Sequence, residues 1–194
     1  LVLELDAMNG EAHLLAAASM RPGGERIVIK YLEPSTLGGR EFPTYLYPQR
    51  SYYQVFDLQG NLIDTIEDQI LDGPLESAAE FVDEDTLVFN ATVGTNRHFY
   101  TYEMGSETFN RLPLPEGSVG LDSWQVSNVD EALIFAFSSV TQPSELFSIP
   151  LDGSAPPTQL TDINAEVTAI NAVQSHPVSF ATSSGPREGI LIQP

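Results

Sequence analysis

The side chains that could serve as catalytic bases or nucleophiles are spread along this chain and form no known catalytic motif. The 194 residues include three histidines, His13, His98 and His176, and no cysteine. A serine nucleophile on a sharp strand-to-helix turn requires the pattern Gly-x-Ser-x-Gly, which does not occur. The lack of cysteine also removes thiolate nucleophiles, thiolate zinc sites and disulfides. The sequence therefore predicts no catalytic residues, and each histidine is expected to have a structural role.

Two acidic turns are the candidate metal-binding segments. One contains Asp57 and Asn61, and the other is the run Asp83-Glu84-Asp85. Neither follows the Asp-x-[Asp/Asn]-x-[Asp/Asn]-Gly pattern of a calcium loop, whereas aspartate in a turn commonly accepts hydrogen bonds from the backbone a few residues later. We therefore expect turn caps and no metal site. No glycine-rich phosphate loop is present, so no cofactor is expected.

The charge of the chain excludes one class of partner. With 27 acidic and 8 basic residues the net charge is −19, and nucleic-acid binding needs cationic groups that neutralise phosphates. The acidity indicates either an ordinary solvated surface or adaptation to a saline environment. No apolar run approaches the ~18 residues of a membrane span, and no signal peptide is recognisable. We expect a soluble protein with a processed N-terminus, and the compartment stays open, with the periplasm and secretion as candidates.

One local pattern recurs four times and predicts the elements that must position these residues. Each copy has a short alternating apolar segment, a turn centred on glycine and a second short apolar segment. The copies span residues 3–15, 54–66, 100–112 and 147–160. Their turn glycines lie at 10, 60, 105 and 153, at intervals of 50, 45 and 48 residues. A repeat of about 40–50 residues with several short strands is typical of β-propeller blades.

A second recurring element completes the blade. Residues 20–31, 81–90 and 126–137 each join a polar turn to a compact run of aliphatic, β-branched and aromatic residues, which is typical of a strand buried on both faces. Each unit is therefore expected to be a four-stranded antiparallel blade. A β-sandwich is the alternative, but the repetition favours an all-β propeller segment with little helix. The predicted strands lie near residues 14–19, 26–32, 52–57, 62–66, 78–82, 86–92, 98–103, 109–112, 122–126, 132–138, 145–150 and 158–160.

An insertion at residues 33–50 is too long for a plain hairpin. It contains three prolines, and five of the seven tyrosines of the chain lie in or beside it. Long loops in compact domains are often functional. One interpretation is that the tyrosines pack the loop against its blade. The other is a gate or docking surface, since tyrosine and arginine suit interfaces, and Arg50 and Tyr52 are its candidate residues.

Four phrases of the sequence resemble a known family. They are Arg-Ser-Tyr-Tyr-Gln-Val-Phe-Asp-Leu-Gln-Gly at 50–60, Ser-Glu-Leu-Phe-Ser-Ile-Pro-Leu-Asp-Gly at 144–153, Gln-Leu-Thr-Asp-Ile-Asn at 159–164 and Gly-Ile-Leu-Ile-Gln-Pro at 189–194. Their order resembles the propeller and its junction with the hydrolase domain in the prolyl oligopeptidase family of serine peptidases. The acylaminoacyl peptidase and glutamyl endopeptidase branches are the most similar.

The resemblance implies an incomplete segment of a seven-bladed propeller. Residues 1–173 would hold about three to four blades, starting in a truncated one, and residues 174–194 a crossover and the first strand of an α/β-hydrolase domain. The chain would be a non-catalytic part of a serine peptidase that gates peptide substrates, with the catalytic domain and the remaining blades as partners. Charged residues of such propellers contact the substrate, which adds Arg97 and His98 as candidates. The alternative is a stand-alone propeller that binds a protein or a small ligand as a scaffold.

Overall fold

The protein is built almost entirely of short β-strands. The computed structural model describes residues 14–20, 23–33, 35–37, 40–42, 50–71, 79–93, 96–115, 117–140, 142–168, 174–183 and 185–193. Within these ranges the helical segments are a 3₁₀ turn at Gln69–Leu71 and the helix α1 at Ala165–Thr168, and none could cross a membrane. The strands are β1 (Leu14–Met20), β2 (Arg26–Glu33), β3 (Ser35–Leu37), β4 (Arg40–Phe42), β5 (Arg50–Asp57), β6 (Leu62–Ile66), β7 (Glu80–Phe81), β8 (Thr86–Val93), β9 (Asn96–Glu103), β10 (Thr108–Arg111), β11 (Ser118–Ser127), β12 (Ala132–Ser138), β13 (Glu145–Pro150), β14 (Thr158–Gln159), β15 (Gln174–Thr182) and β16 (Gly185–Gln193).

Three four-stranded sheets correspond to the three predicted blades. Their strand orders are β1-β2-β5-β6, β7-β8-β9-β10 and β11-β12-β13-β14, and in the first and third sheets every neighbouring pair is antiparallel. Each predicted strand of these units is present, with ends displaced by a few residues. The predicted all-β blades are therefore confirmed, whereas the hairpin predicted at 3–15 lies outside the described residues up to position 13.

The insertion and the predicted glycine turns occupy the connections of these sheets. Part of the insertion forms a small antiparallel pair, β3–β4, and residues 34, 38–39 and 43–49 lie outside the description. Gly60, Gly105 and Gly153 each lie between the last two strands of a four-stranded sheet. Gly60 has φ +84° and donates its N–H to the Asp57 carbonyl at 3.1 Å, a backbone conformation that glycine adopts without a steric penalty.

The chain divides into two compact units. The first comprises Leu1–Ala91 and Tyr100–Asn110, and the second comprises Thr92–Phe99 and Arg111–Pro194. The boundary passes through the β7–β10 sheet, so that sheet contributes residues to both units.

The core of the first unit is rich in aromatic side chains. Phe89 of β8 meets Tyr53 edge-on, with ring centroids 4.8 Å apart, and lies 6.3 Å from Tyr102 and 5.7 Å from Phe109. The only lysine of the chain, Lys30, is fully buried with its Nζ 5.6 Å from the centroid of the Tyr53 ring. This core therefore joins side chains of β5, β8, β9 and β10 into one packed cluster.

The core of the second unit is a separate aromatic cluster. Phe99 of β9 packs edge-on against Trp124 and Phe135, at centroid separations of 5.4 and 5.3 Å. Phe147 of β13 extends the cluster to Phe137 at 5.5 Å. Burial of such rings supplies much of the stabilisation of a small β-domain.

The last two strands form a hairpin of their own. β15 and β16 pair along their whole length, from Gln174 with Gln193 to Thr182 with Gly185, and they belong to none of the four-stranded sheets. The hairpin lies within residues 174–194, the segment for which the resemblance implies a crossover and the first strand of a hydrolase domain.

Candidate functional site

The four residues proposed from the sequence fall in different units. Arg50 and Tyr52 lie on β5 in the first unit, and Arg97 and His98 lie on β9 in the second. The backbone of Arg50 pairs with Glu33 at the end of β2. The described structure therefore brings the candidates together only as two pairs, each pair lying close together on a single strand.

Tyr52 forms a stacked pair with Tyr31 on the two strands that flank the insertion. The residues are partners in the β2–β5 register, and their rings are 5.1 Å apart with an interplanar angle of 10°. Burial raises the pKa of Tyr31, and Tyr52 raises it further. The pair thus packs across β2 and β5 beside the insertion, whereas Tyr45 and Tyr47 within it lie outside the described residues.

Arg97 and His98 point to opposite faces of the sheet, because successive side chains alternate along a strand. The Arg97 guanidinium donates to the Val119 carbonyl at 3.2 Å and to Thr92 Oγ1 at 3.4 Å. These bonds tie the side chain to the protein backbone and to a neighbouring hydroxyl. In this structure Arg97 stabilises the second unit internally.

His98 lines a cleft of about 310 Å³ in the second unit. The imidazole is 7% exposed. Burial lowers its pKa below 6.5, and the nearby Arg111 guanidinium lowers it further, so the ring is neutral at pH 7. The cleft is lined by Val93, Asn96, His98, Arg111, Leu114, Pro115 and Glu188.

The sequence reasoning missed Arg111 as a neighbour of His98. The available signal was weak: Arg111 is one of seven arginines in a strongly acidic chain and stands at the end of a predicted strand. Its proximity to His98 depends on the register of β10 on β9, which local sequence patterns do not determine.

A second cleft, of about 210 Å³, lies between the β11–β12 sheet and the β15–β16 hairpin. Ser118, Ser138, Ser139 and Ser175 contribute hydroxyls to it. A serine hydroxyl becomes a nucleophile only beside a base, and among the described residues that line this cleft there is no histidine and no carboxylate. These described side chains can form hydrogen bonds.

A buried carboxylate explains the Leu-Thr-Asp-Ile-Asn phrase at 160–164. Glu145, at the start of β13, accepts a hydrogen bond from the Thr161 hydroxyl and two from Asn164, from its backbone N–H at 2.7 Å and from Nδ2 at 3.1 Å. The Thr161 bond is the first cause that lowers the pKa of Glu145. Threonine and asparagine at this spacing thus fasten the end of the third sheet to its own β13 strand.

The two acidic turns are backbone caps, as predicted. The Asp57 carboxylate accepts hydrogen bonds from the Gln59 and Asn61 N–H groups at 2.9 and 2.8 Å. The Asp83 carboxylate accepts hydrogen bonds from the backbone N–H groups of Asp85 and Thr86, both at 2.8 Å. These carboxylate oxygens are used to hold the turns in shape.

Comparisons with known proteins support the fold. No protein family and no curated protein matches the sequence, whereas solved structures match its fold. AtxE2 isopeptidase with Astexin3-dC4 bound is similar over 86% of this chain and 24% of its own, with a TM-score of 0.61 and 15% identity. Acylaminoacyl peptidase from Pyrococcus horikoshii is similar over 91% of this chain and 32% of its own, with a TM-score of 0.56 and 15% identity. TolB from Acinetobacter baumannii is similar over 92% of this chain and 40% of its own, with a TM-score of 0.53 and 12% identity.

Identities of 12–15% establish similarity of fold and nothing finer. The comparisons confirm the all-β propeller class and support the resemblance to the prolyl oligopeptidase family at the level of the fold. The chain spans between 24% and 40% of the lengths of these three proteins.

Proposed function

We propose that this chain is part of the propeller of a serine peptidase of the prolyl oligopeptidase type, and that it controls which peptides reach a catalytic α/β-hydrolase domain outside the chain. Two proteins of similar fold are named as peptidases, an isopeptidase and an acylaminoacyl peptidase. The phrases at 144–153, 159–164 and 189–194 follow the order of features in that family. The chain itself contributes no catalytic residue. Its role is to cover the active site, exclude large folded substrates and admit peptides.

The observation that carries this proposal is the uncovered β15–β16 hairpin. Ile190 and Ile192, on one face, are 52% and 60% exposed. Phe180, which pairs with Arg187, and Leu191 lie on the opposite face and are 51% and 44% exposed. A two-stranded sheet alone is marginally stable at best in water, and a contiguous exposed apolar surface commonly marks an interaction site. We propose the catalytic domain as the partner that covers it, with residues 174–194 as the crossover and first strand that lead into that domain.

The peptide gate is assigned to the insertion at 33–50 with Arg50 and Tyr52, and Arg97 and His98 are the further candidates for substrate contact. Deletion of residues 35–48 is expected to alter the size selectivity for peptides, since the insertion would no longer restrict entry. Initial rates on a series of peptides of increasing length measure this. Unchanged selectivity with a lowered melting temperature would instead assign the insertion to packing alone.

The association with a catalytic domain is tested by native mass and by labelling with a fluorophosphonate, which reacts with activated serines. We expect the native particle to contain a labelled region of the size of a hydrolase domain. The double variant Ile190→Ser/Ile192→Ser should weaken that association, whereas Val129→Ser, on the 93% exposed turn residue between β11 and β12, should not. A stable, unlabelled monomer of 21.2 kDa would overturn the proposal.

A stand-alone propeller scaffold is the second candidate. It is favoured by the similarity to TolB, at a TM-score of 0.53 over 92% of this chain, because TolB is not named as a peptidase. The same mass and labelling experiment separates the two functions. The scaffold predicts a particle without fluorophosphonate reactivity that is nevertheless retained on a protein or small-ligand partner.

A further inference from the structure

The cleft beside His98 is built from the ends of three neighbouring strands. Val93 is the last residue of β8, Asn96 the first of β9 and Arg111 the last of β10, so the sheet order β8-β9-β10 brings their side chains to one end of the sheet. The chain then turns sharply, with the Leu114 N–H donating to the Leu112 carbonyl at 2.9 Å. This turn places Leu114 and Pro115 along one wall. We refer to this site as the Arg111 cleft.

Arg111 is exposed and lines this cleft together with Glu188. Among the residues that the structure describes, it makes no hydrogen bond and no ion pair. Arg26 differs, because it donates to the Asp85 carboxylate at 3.0 Å, and Arg97 bonds to the Val119 carbonyl. In a chain with 27 acidic residues, an unpaired guanidinium in a concave site leaves a fork of donors for an external anion. A carboxylate matches that fork with two parallel hydrogen bonds.

The other residues of the cleft restrict which anion fits. Asn96 contributes amide donors. Val93, Leu114 and Pro115 form an apolar wall. Glu188 lies on the same cleft and repels a second negative charge on the ligand. The volume of about 310 Å³ lies at the lower end of the range for small-ligand pockets, about 300–1,000 Å³.

We propose that the Arg111 cleft binds a small monocarboxylate with an apolar body, its carboxylate on Arg111 and its body against Val93, Leu114 and Pro115. The carboxylate belongs either to a free organic acid or to the C-terminus of a short peptide, since both present the same group. This site is independent of the proposed peptidase role, because it needs only residues of the second unit.

The test is a titration of the full chain with N-acetyl-L-leucine, followed through the ring resonances of His98. We expect a saturable shift with the acid and none with N-acetyl-L-leucinamide, which is neutral. Arg111→Gln should weaken binding about tenfold or more, as expected for loss of hydrogen bonds to a charged group. Arg187→Gln is the matched control, because Arg187 is an exposed arginine of the same unit that does not line the cleft. Its affinity should equal that of the unsubstituted protein.

Three further comparisons sharpen the test. Arg111→Lys keeps the charge but not the fork and should bind with intermediate affinity, which covers the case in which Arg111→Gln fails to fold. Glu188→Gln should raise the affinity for succinate, a dicarboxylate that the unsubstituted cleft rejects. Tighter binding of isovalerate identifies a free acid as the ligand, and tighter binding of N-acetyl-glycyl-leucine identifies a peptide C-terminus. The proposal is overturned if neither binds, if the amide binds as well as the acid, or if Arg187→Gln weakens binding as much as Arg111→Gln.

Discussion

Truncation of Phe89 to alanine tests the packing of the first unit. The side chain is 1% exposed and contacts three aromatic rings, those of Tyr53, Tyr102 and Phe109. Phe-to-Ala substitutions in cores cost about 3–5 kcal/mol, and each aromatic pair contributes about 0.5–1.5 kcal/mol beyond area burial. We therefore expect a loss of about 4–5 kcal/mol, at the upper end of the range. Domains of this size have net stabilities of about 5–15 kcal/mol, so the loss is a large part of the total.

The assay is unfolding in guanidinium chloride followed by far-UV circular dichroism, together with the melting temperature. The melting temperature should fall by roughly 8–20 °C, since 1 kcal/mol corresponds to about 2–4 °C at this length. Phe180→Ala is the matched control, because that ring is 51% exposed and its loss should cost less than about 1 kcal/mol. Phe89→Leu, which keeps most of the volume, should cost less than Phe89→Ala. Equal losses for Phe89→Ala and Phe180→Ala would refute the packing described for this cluster.

Three other substitutions have outcomes that follow directly from the structure. Gly117→Ala should lower the free energy of unfolding by about 1–3 kcal/mol, because a Cβ there would overlap the Phe137 ring and lie 2.5 Å from the Ser138 carbonyl oxygen. Gly105→Ala is the control: a Cβ there would have no atom within 4 Å, so the same denaturation assay should show no change. The pKa of Glu145 is held below 4.5, so its contribution to stability is complete above pH 4.5 and is lost as the pH falls through the lowered value. Melting temperatures between pH 3 and 7 should therefore depend less steeply on pH in Glu145→Gln than in the unsubstituted protein, and the remaining dependence comes from carboxylates such as Asp57 and Asp152, whose pKa values are also lowered. Burial and, second, the Asp64 carboxylate raise the pKa of Tyr102 from 10.0 to about 12. The contribution of Tyr102 to stability should therefore be constant below pH 10 and fall as the pH rises towards 12. In an ultraviolet titration, the unsubstituted protein should show one late-ionising phenol that Tyr102→Phe lacks. A single phenol transition near pH 10 would contradict the contact with Asp64.

The blades were predictable because their signals are local. A compact run of aliphatic and aromatic residues predicted β12 as a strand. In the structure Leu133, Phe135 and Phe137 are buried and the residues between them are less buried, so the strand is present but is not fully buried on both faces as predicted. The turn at Gly60 is likewise encoded within a few residues, since its φ of +84° favours glycine. Short-range rules of this kind are sufficient to place strands and turns.

The candidate site was only partly predictable because it depends on contacts between distant segments. In the sequence Arg97 and His98 are equivalent neighbours, yet strand alternation separates them. Arg97 is then held by the Val119 carbonyl, and His98 acquires Arg111 and Glu188 as cleft partners. These partners come from another strand and from the distant hairpin, so their convergence needs the register of the sheet and the placement of β16. No local pattern contains that information.

The burial of Lys30 protects its ε-amine from acylating reagents while the first unit is folded. Its ε-amine is the only one in the chain, and it lies fully buried over the Tyr53 ring. Acylation at this position therefore requires the unit to open, in the same way as exchange of a protected amide hydrogen. When the reagent reacts more slowly than the unit closes, the labelling rate measures the free energy of opening, and when it reacts faster it measures the opening rate. Acylation of Lys30 is thus a chemical probe of local unfolding in the first unit.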